Sequence, residues 1–326
     1  MKYLTYLAST LLLAAVVLFL GACEREKEEE QVTSLISSSV STPPVLDGNS
    51  TDAAWDRADE FVITVGSSAS HANAFGEVDV SLRSVHTATD VYILASWQDP
   101  SLTENVDKKL WSYESGEWTQ SGNEDRLFLM FDAGDNGSEG ADCATMCHVG
   151  EGAMYTTGGG HVDVWHWKAH RTNPIGLADD KWWDGTGRGS DAKTISAYKD
   201  NATGSGNYPA YAGPITDGHF IIIAEGASTA DLEVFDSTDV TLQANTYPGY
   251  YLNANATNSG ESRHDVKAAG KYVNGEWTVE LKRALDTGHD DDVVFQVGST
   301  TQFSIAITDN SGGSHSGAGV FDFTIE

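Results

Sequence analysis

Residues 143–148 read Cys-Ala-Thr-Met-Cys-His, the densest grouping of reactive side chains in the 326-residue chain. Two thiols a few residues apart, followed at once by an imidazole, suit covalent haem. The thiols can meet the two vinyl groups on one edge of a porphyrin, and the histidine can reach the iron from one face. On that reading Cys143 and Cys147 carry one haem c, and His148 is its axial ligand. Three residues separate the cysteines, where the usual attachment spacing has two. Two other chemistries fit the same thiols. A small disulfide loop leaves the adjoining His148 unexplained, and a zinc or other metal site needs a fourth ligand from elsewhere.

The chain has three cysteines, and the remaining one, Cys23, sits at the end of a different signal. Lys2 supplies a positive start, Leu11 to Leu20 is an almost unbroken apolar run, and Leu20-Gly21-Ala22-Cys23 closes it with small residues. That tetrapeptide resembles the lipobox of bacterial lipoproteins, so residues 1–22 read as a signal peptide and Cys23 as the lipidated first residue of the mature chain. An ordinary cleaved signal and a single membrane helix are the plainer alternatives. The expected location is the cell envelope, anchored by lipid. Glu24, rather than an aspartate, follows the cysteine and favours the outer membrane, facing the periplasm or the exterior. With Cys23 assigned to lipid, Cys143 and Cys147 are the only pair left, whereas an exported fold stapled by disulfides is expected to carry more cysteines. Residues 23–42, charged and then rich in Ser and Thr, read as a tether.

A formal net charge of −29 makes nucleic acid an unlikely partner, because phosphate binding needs cationic clusters. The acidity suits basic protein partners or divalent cations, and equally plain solubility.

The elements that position this chemistry read as strands. From residue 43 the apolar period is two: Val78, Val80 and Leu82 alternate with polar residues, and Val91 to Trp97 returns after a turn near Thr87 to Asp90. Leu127 to Phe131 is apolar on both faces, as a central strand is. Trp277, Val279 and Leu281 follow Asn274-Gly275, a dipeptide that favours hairpins. Phe303, Ile305 and Ile307 make another stripe, and Val320 to Ile325 the last. Helical signal is scarce, with one or two turns in Thr51 to Asp59. The expected fold is all-β, an antiparallel β-sandwich over 43–326 with long haem-bearing loops, few short helices and a loop-rich insertion at about 172–218. His161, His166 and His170 cluster near Trp165 and Trp167. Their spacing would suit a metal on a helix, but the alternation around Val162 and Val164 favours a strand.

Pro44-Val45-Leu46-Asp47-Gly48, Asp52-Ala53-Ala54-Trp55, Trp97-Gln98-Asp99-Pro100, Glu124-Asp125-Arg126-Leu127 and Val162 to Ala169 occur in this order. Together they resemble the ethylbenzene dehydrogenase-related haem-binding domain, shared by haem-carrying subunits of some periplasmic molybdoenzymes and by monohaem c-type cytochromes. The resemblance implies a β-sandwich that holds one haem and passes electrons, without catalysis of its own. In members with non-covalent haem the iron is held by Met and Lys. Here the Cys-bearing loop occupies the region that supplies the Met, and His315 stands in the segment that supplies the Lys. His315 is therefore the expected sixth ligand, with Met154 and then Lys168 as rivals. Trp165, Trp167, Trp182 and Trp183 would pack on the porphyrin or in the sandwich core. Asp163 would orient a histidine or bond on the propionate side. The implied partners are redox proteins, basic ones or a molybdoenzyme. Two other functions stay open: the haem subunit of a molybdoenzyme, and a carbohydrate-binding sandwich module, suggested by Val45-Leu46-Asp47-Gly48 with Trp55 nearby.

Overall fold

The computed structural model describes residues 34–67, 76–99, 108–134, 155–156, 158–216 and 219–326. The chain divides into two compact units, residues 1–31 and 32–326; only the second lies among the described residues, and Cys23 falls outside them. No helix among the described residues is long and apolar enough to cross a membrane.

The fold is nearly all β, as the period-two pattern requires. It opens with β1 (Leu35–Ser39), β2 (Phe61–Ser67), β3 (Val78–His86) and β4 (Asp90–Gln98). A hairpin of β5 (Leu110–Glu114) and β6 (Glu117–Ser121) precedes β7 (Arg126–Asp132), β8 (Val162–Lys168), β9 (Asp179–Asp184) and β10 (Gly187–Ser190). Short strands follow: β11 (Tyr198–Asp200), β12 (Tyr211–Gly213), β13 (Ile215–Thr216), β14 (Phe220–Ile223), β15 (Glu233–Val234), β16 (Tyr247–Pro248) and β17 (Tyr250–Asn253). The chain closes with β18 (Lys267–Val273), β19 (Glu276–Ala284), β20 (Thr300–Thr308) and β21 (Ser316–Ile325).

Twelve strands form one sheet in the order β10-β9-β8-β7-β20-β21-β1-β3-β4-β19-β18, with β2 bridging β21 and β3. The sheet folds over so that its halves face each other across a shared apolar core. Trp167 on β8 lies 6.2 Å from Trp97 on β4 and 5.0 Å from Trp277 on β19, between ring centroids. The predicted hairpins are present. β3 pairs antiparallel with β4, and β18 turns into β19 through Asn274 (φ 55°) and Gly275 (φ 90°), the two left-handed residues that a tight hairpin turn demands.

Two boundaries differ from expectation. The chain joins the sheet at Leu35, inside the stretch read as a tether, and β1 runs parallel to both β3 and β21. Leu35 and Ser37 are fully buried, but with serines at its last three positions β1 shows too little apolar alternation to stand out. The stretch 172–218 is not only loop: β9 and β10 extend the main sheet, and the buried carboxylates of Asp179 and Asp180 come from it. The expected helical turns reduce to a 3₁₀ turn at Trp55–Arg57.

The Val45-Leu46-Asp47-Gly48 and Trp55 motifs have a structural explanation. The buried Glu280 carboxylate on β19 accepts hydrogen bonds from the Asp47 and Gly48 amides (2.8 Å each) and from Trp55 Nε1 (3.0 Å). Trp55 is 1% exposed, so its ring is not a platform for a sugar. Gly48 sits at φ 75°, and a Cβ there would meet Lys271 Cβ at 2.7 Å, so position 48 admits only glycine. Glu280→Ala removes one acceptor from three donors and should destabilise the domain by about 2–4 kcal/mol in urea unfolding. A loss below about 0.5 kcal/mol would show that Glu280 does not pin the motif.

Candidate functional site

β8 buries all seven of its residues because both faces of its part of the sheet are covered. Trp165 and Trp167 point into the sandwich core, whereas Val164, His166 and Lys168 point to the other side. There they meet Arg126, Phe128 and Met130 of β7, Ala306 and Thr308 of β20, and Lys181 and Trp183 of β9. β10 and the segment carrying Gly312, Gly313 and His315 complete a cavity of about 590 Å³, a volume typical of cofactor pockets.

The cavity floor is apolar and its rim cationic. Met130, Val164, Trp183 and Ala306 pack together with Phe128, and Arg126, Lys168, Arg171, Lys181 and Arg188 line the walls. These cations are held from behind. Glu124 accepts from Arg171 Nε at 2.5 Å and from the His170 and Arg171 amides at 3.0 Å each, and it lies 3.6 Å from Arg126. Arg171 also stacks over the rings of Tyr198 and Tyr250, 5.0 Å from each. Lys168 forms a buried ion pair with Asp179 and donates to Tyr198 Oη at 2.8 Å. Arg263 adds a second cation 2.9 Å from Asp179. Burial alone would raise the Asp179 carboxyl, but Lys168 and Arg263 outweigh it and hold Asp179 well below the ordinary carboxylate range. Burial pulls Lys181 down to about 8 against the attraction of Asp179.

Two imidazoles reach this cavity. His166 stacks on Phe128 with centroids 4.0 Å apart, and its buried Nε2 has no hydrogen-bond partner among the described residues. Burial, aided by Lys168, Lys181, Arg126 and Arg171, drives its pKa well below 6.5, so the ring is neutral at pH 7. His315 Nδ1 lies 3.2 Å from the Gly313 carbonyl oxygen. A carbonyl can only accept, so Nδ1 carries a proton there. The His315 segment is positioned through Asp125, whose carboxylate accepts from the Asn310 amide and from Trp277 Nε1, both at 2.8 Å.

Of the residues singled out from sequence, His315 and Lys168 both line the cavity, and Lys168 Nζ is already engaged by Asp179 and Tyr198. Cys143, Cys147, His148 and Met154 lie outside the described residues, in the segment that joins β7 to β8. Among the tryptophans only Trp183 lines this cavity; Trp165 and Trp167 belong to the core, and Trp182 with His161 borders a separate cleft of about 640 Å³. His170 is buried beside Phe220 and Tyr250. Asp163 faces the core side, where it pairs with Arg283. Sequence reasoning missed the cationic rim, because its members come from four separate segments and no spacing links them. His166 was detectable: it shares the parity of Val164 and Lys168 on a strand whose other parity is tryptophan.

The set Glu124-Asp125-Arg126 thus fixes the Arg171 corner, the Asn310 segment and the cavity rim, and Val162 to Lys168 supplies the cavity wall. The chain belongs to the ethylbenzene dehydrogenase family. The family model matches residues 52–319, which contain both stretches. No curated relative matches the sequence. Among solved structures, a family 9 carbohydrate-binding module from Caldicellulosiruptor kristjanssonii in complex with glucose is similar at 9% identity and a TM-score of 0.33, over 90% of this chain and 95% of that one. A Bacteroides uniformis protein described as carbohydrate-binding is similar at 9% identity and a TM-score of 0.41, over 90% and 99% of the two chains. Likeness this slight bears on neither ligand nor function.

Burial holds His170 at about 4, and its Nδ1 accepts from the Lys109 amide at 3.2 Å. The unfolded histidine titrates near 6.5, so this contribution to stability is complete above pH 6.5 and is lost as pH falls from there toward 4. The loss at pH 4 should be about 3 kcal/mol, and His170→Gln should flatten that part of the stability profile. An unchanged acid slope in the variant would remove His170 from the account.

Proposed function

We propose that this chain is a lipid-anchored, monohaem c-type cytochrome of the cell envelope that passes electrons between protein partners. The observation that carries the reading is the cavity itself: an apolar floor, two imidazoles and five cationic side chains in a chain of net charge −29. A ligand that matches it is flat, apolar over most of its area and anionic at one edge, as a haem with two propionates is. The buried Nε2 of His166, which has no hydrogen-bond partner among the described residues, and the placement of His315 at the cavity wall fit an iron porphyrin.

In this proposal Cys143 and Cys147 would attach the haem, and His148 and His315 would hold its iron. Bound haem would supply a one-electron couple at iron. The chain's own residues set its surroundings. Phe128, Met130, Val164 and Trp183 exclude water from the ring, Arg126, Arg171, Lys181 and Arg188 receive the propionates, and His166 stacks on Phe128 at the cavity wall. Iron held by two protein side chains would leave no position for a substrate, and the chemistry supplied would be electron transfer. The pairing of Lys168 with Asp179 argues against lysine as the sixth ligand. Export and acylation at Cys23 would place the domain at a membrane surface, where the acidic exterior suits basic redox partners.

The purified full chain should give a pyridine haemochrome spectrum of c type, and Cys143→Ala with Cys147→Ala should abolish covalent haem; an intact covalent band in the double variant would refute the assignment. His315→Met should bring in a methionine-to-iron charge-transfer band, whereas His166→Leu should leave the axial signature unchanged. The opposite pattern would transfer the ligand role to His166.

A second reading, carbohydrate binding, is favoured by one observation: the open cleft lined by Trp182, His161, Asp184, Asp290 and Asp291 combines an indole with carboxylates. An aromatic face beside hydrogen-bond acceptors is sugar-binding chemistry. Colourless protein whose glycan binding is lost in Trp182→Ala would establish it in place of the cytochrome.

A further inference from the structure

On the core side of β8 and β9 the chain collects carboxylates that the cavity does not use. Asp163, Asp180, Asp191, Asp265, Asp291 and Asp292 form overlapping groups in which three ligand atoms lie within 4.8 Å of one another, and Asp292 is shared by three of these groups. The one guanidinium among them is that of Arg283. It hydrogen-bonds Asp163 and stands 3.6 Å from Asp180 and 3.7 Å from Asp292. His289 lies 3.4 Å from Asp265 and 3.6 Å from Asp292 and adds at most one more positive charge. Among the described residues these two cations, with Lys267 acting on Asp265, do not balance six carboxylates.

Asp191 shows what is missing. It is 3% exposed, and both of its carboxylate oxygens are without a hydrogen-bond partner among the described residues. Its oxygens face those of Asp291 and Asp292. A carboxylate taken out of water with no donor and no cation is strongly unfavourable, so such a group either keeps its proton or takes a cation.

We propose that Asp191, Asp291 and Asp292 bind one Ca²⁺ ion. Oxygens that share a Ca²⁺ at about 2.3–2.6 Å lie no more than about 5 Å apart, and one oxygen from each of these three residues lies within 4.8 Å of the other two. The all-oxygen donor set is that of a hard cation, and an irregular arrangement of carboxylates is tolerated by Ca²⁺ better than by Mg²⁺, which demands a near-ideal octahedron. A route exists, because Asp291 and His289 also line the open 640 Å³ cleft beside Trp182. The ion would tie the segment after β10 to the long connection between β19 and β20, two stretches far apart in sequence. The site is independent of haem.

The test uses the full chain, stripped with EDTA, dialysed and titrated with CaCl₂ alone by calorimetry and thermal unfolding, with haem content recorded in parallel. Wild type should bind one Ca²⁺ per chain and gain at least about 5 °C in Tm at saturation. Asp191→Asn and the less buried Asp291→Asn should each fold, keep the wild-type haem content and lose at least tenfold in Ca²⁺ affinity. No Ca²⁺-dependent Tm shift in wild type, or a shift that persists undiminished in both variants, would overturn the proposal. Tighter binding of Zn²⁺ that is lost in His289→Ala would also overturn it, by assigning the cluster to a different metal.

Discussion

Val162 to Lys168 has no exposed residue, and a strand can bury every side chain only if each of its faces meets another surface. On one face Trp165 and Trp167 enter the core formed with Trp97 and Trp277. On the other, Val164, His166 and Lys168 line a cavity that β10, Tyr198 and the Gly312 to His315 segment also border. The pleat alternates between the two faces, so a shift of β8 by one residue would place tryptophans in the cavity and cations in the core. Register is held at both edges, by β7 from Arg126 to Asp132 and by β9 from Asp179 to Trp183.

The cations facing the cavity depend on carboxylates that do not. Glu124 holds Arg171 and Arg126 from behind, and Asp179 holds Lys168 and Arg263. Each carboxylate accepts several hydrogen bonds, so the guanidinium and ammonium groups are fixed before a ligand arrives, and little rotamer entropy remains to be lost on binding. Asp125, one residue from Glu124, reaches the other way to Trp277 and Asn310. A single turn of chain therefore couples the core, the rim and the His315 segment.

The sandwich was legible because half-buried strands write their period into the sequence, and Asn274-Gly275 marks its own hairpin. β1 escaped notice since it is short and places Ser37 where an apolar residue would have signalled burial. The Trp55 motif carried a signal whose meaning the sequence could not supply. Only with Glu280 brought beside it does the indole become a buried hydrogen-bond donor rather than a surface for sugars. The same holds for the site. His315 was named from the family resemblance, by its place after a strand, and Lys168 by its neighbours, and both line the cavity; Arg126, Arg171, Lys181 and Arg188 converge only once β7, β9 and β10 are side by side, and no linear pattern encodes that convergence.

Charge is segregated across β8 and β9 to a degree that the net value of −29 conceals. One face presents Lys168 and Lys181 to the cavity, and the other presents Asp163 and Asp180 to Arg283. Burial and the surrounding carboxylates, Asp291 foremost, push the Asp191 carboxyl up to about 9, while burial among cations drives His166 below its ordinary range. These opposite displacements have one cause: each face gathers like charges in a place where water cannot screen them. On the cavity side Glu124 and Asp179 answer the cations from within the chain, and on the core side Arg283 answers Asp163, Asp180 and Asp292. The haem propionates and the Ca²⁺ ion proposed above would each add an opposite charge to the face that gathers one sign.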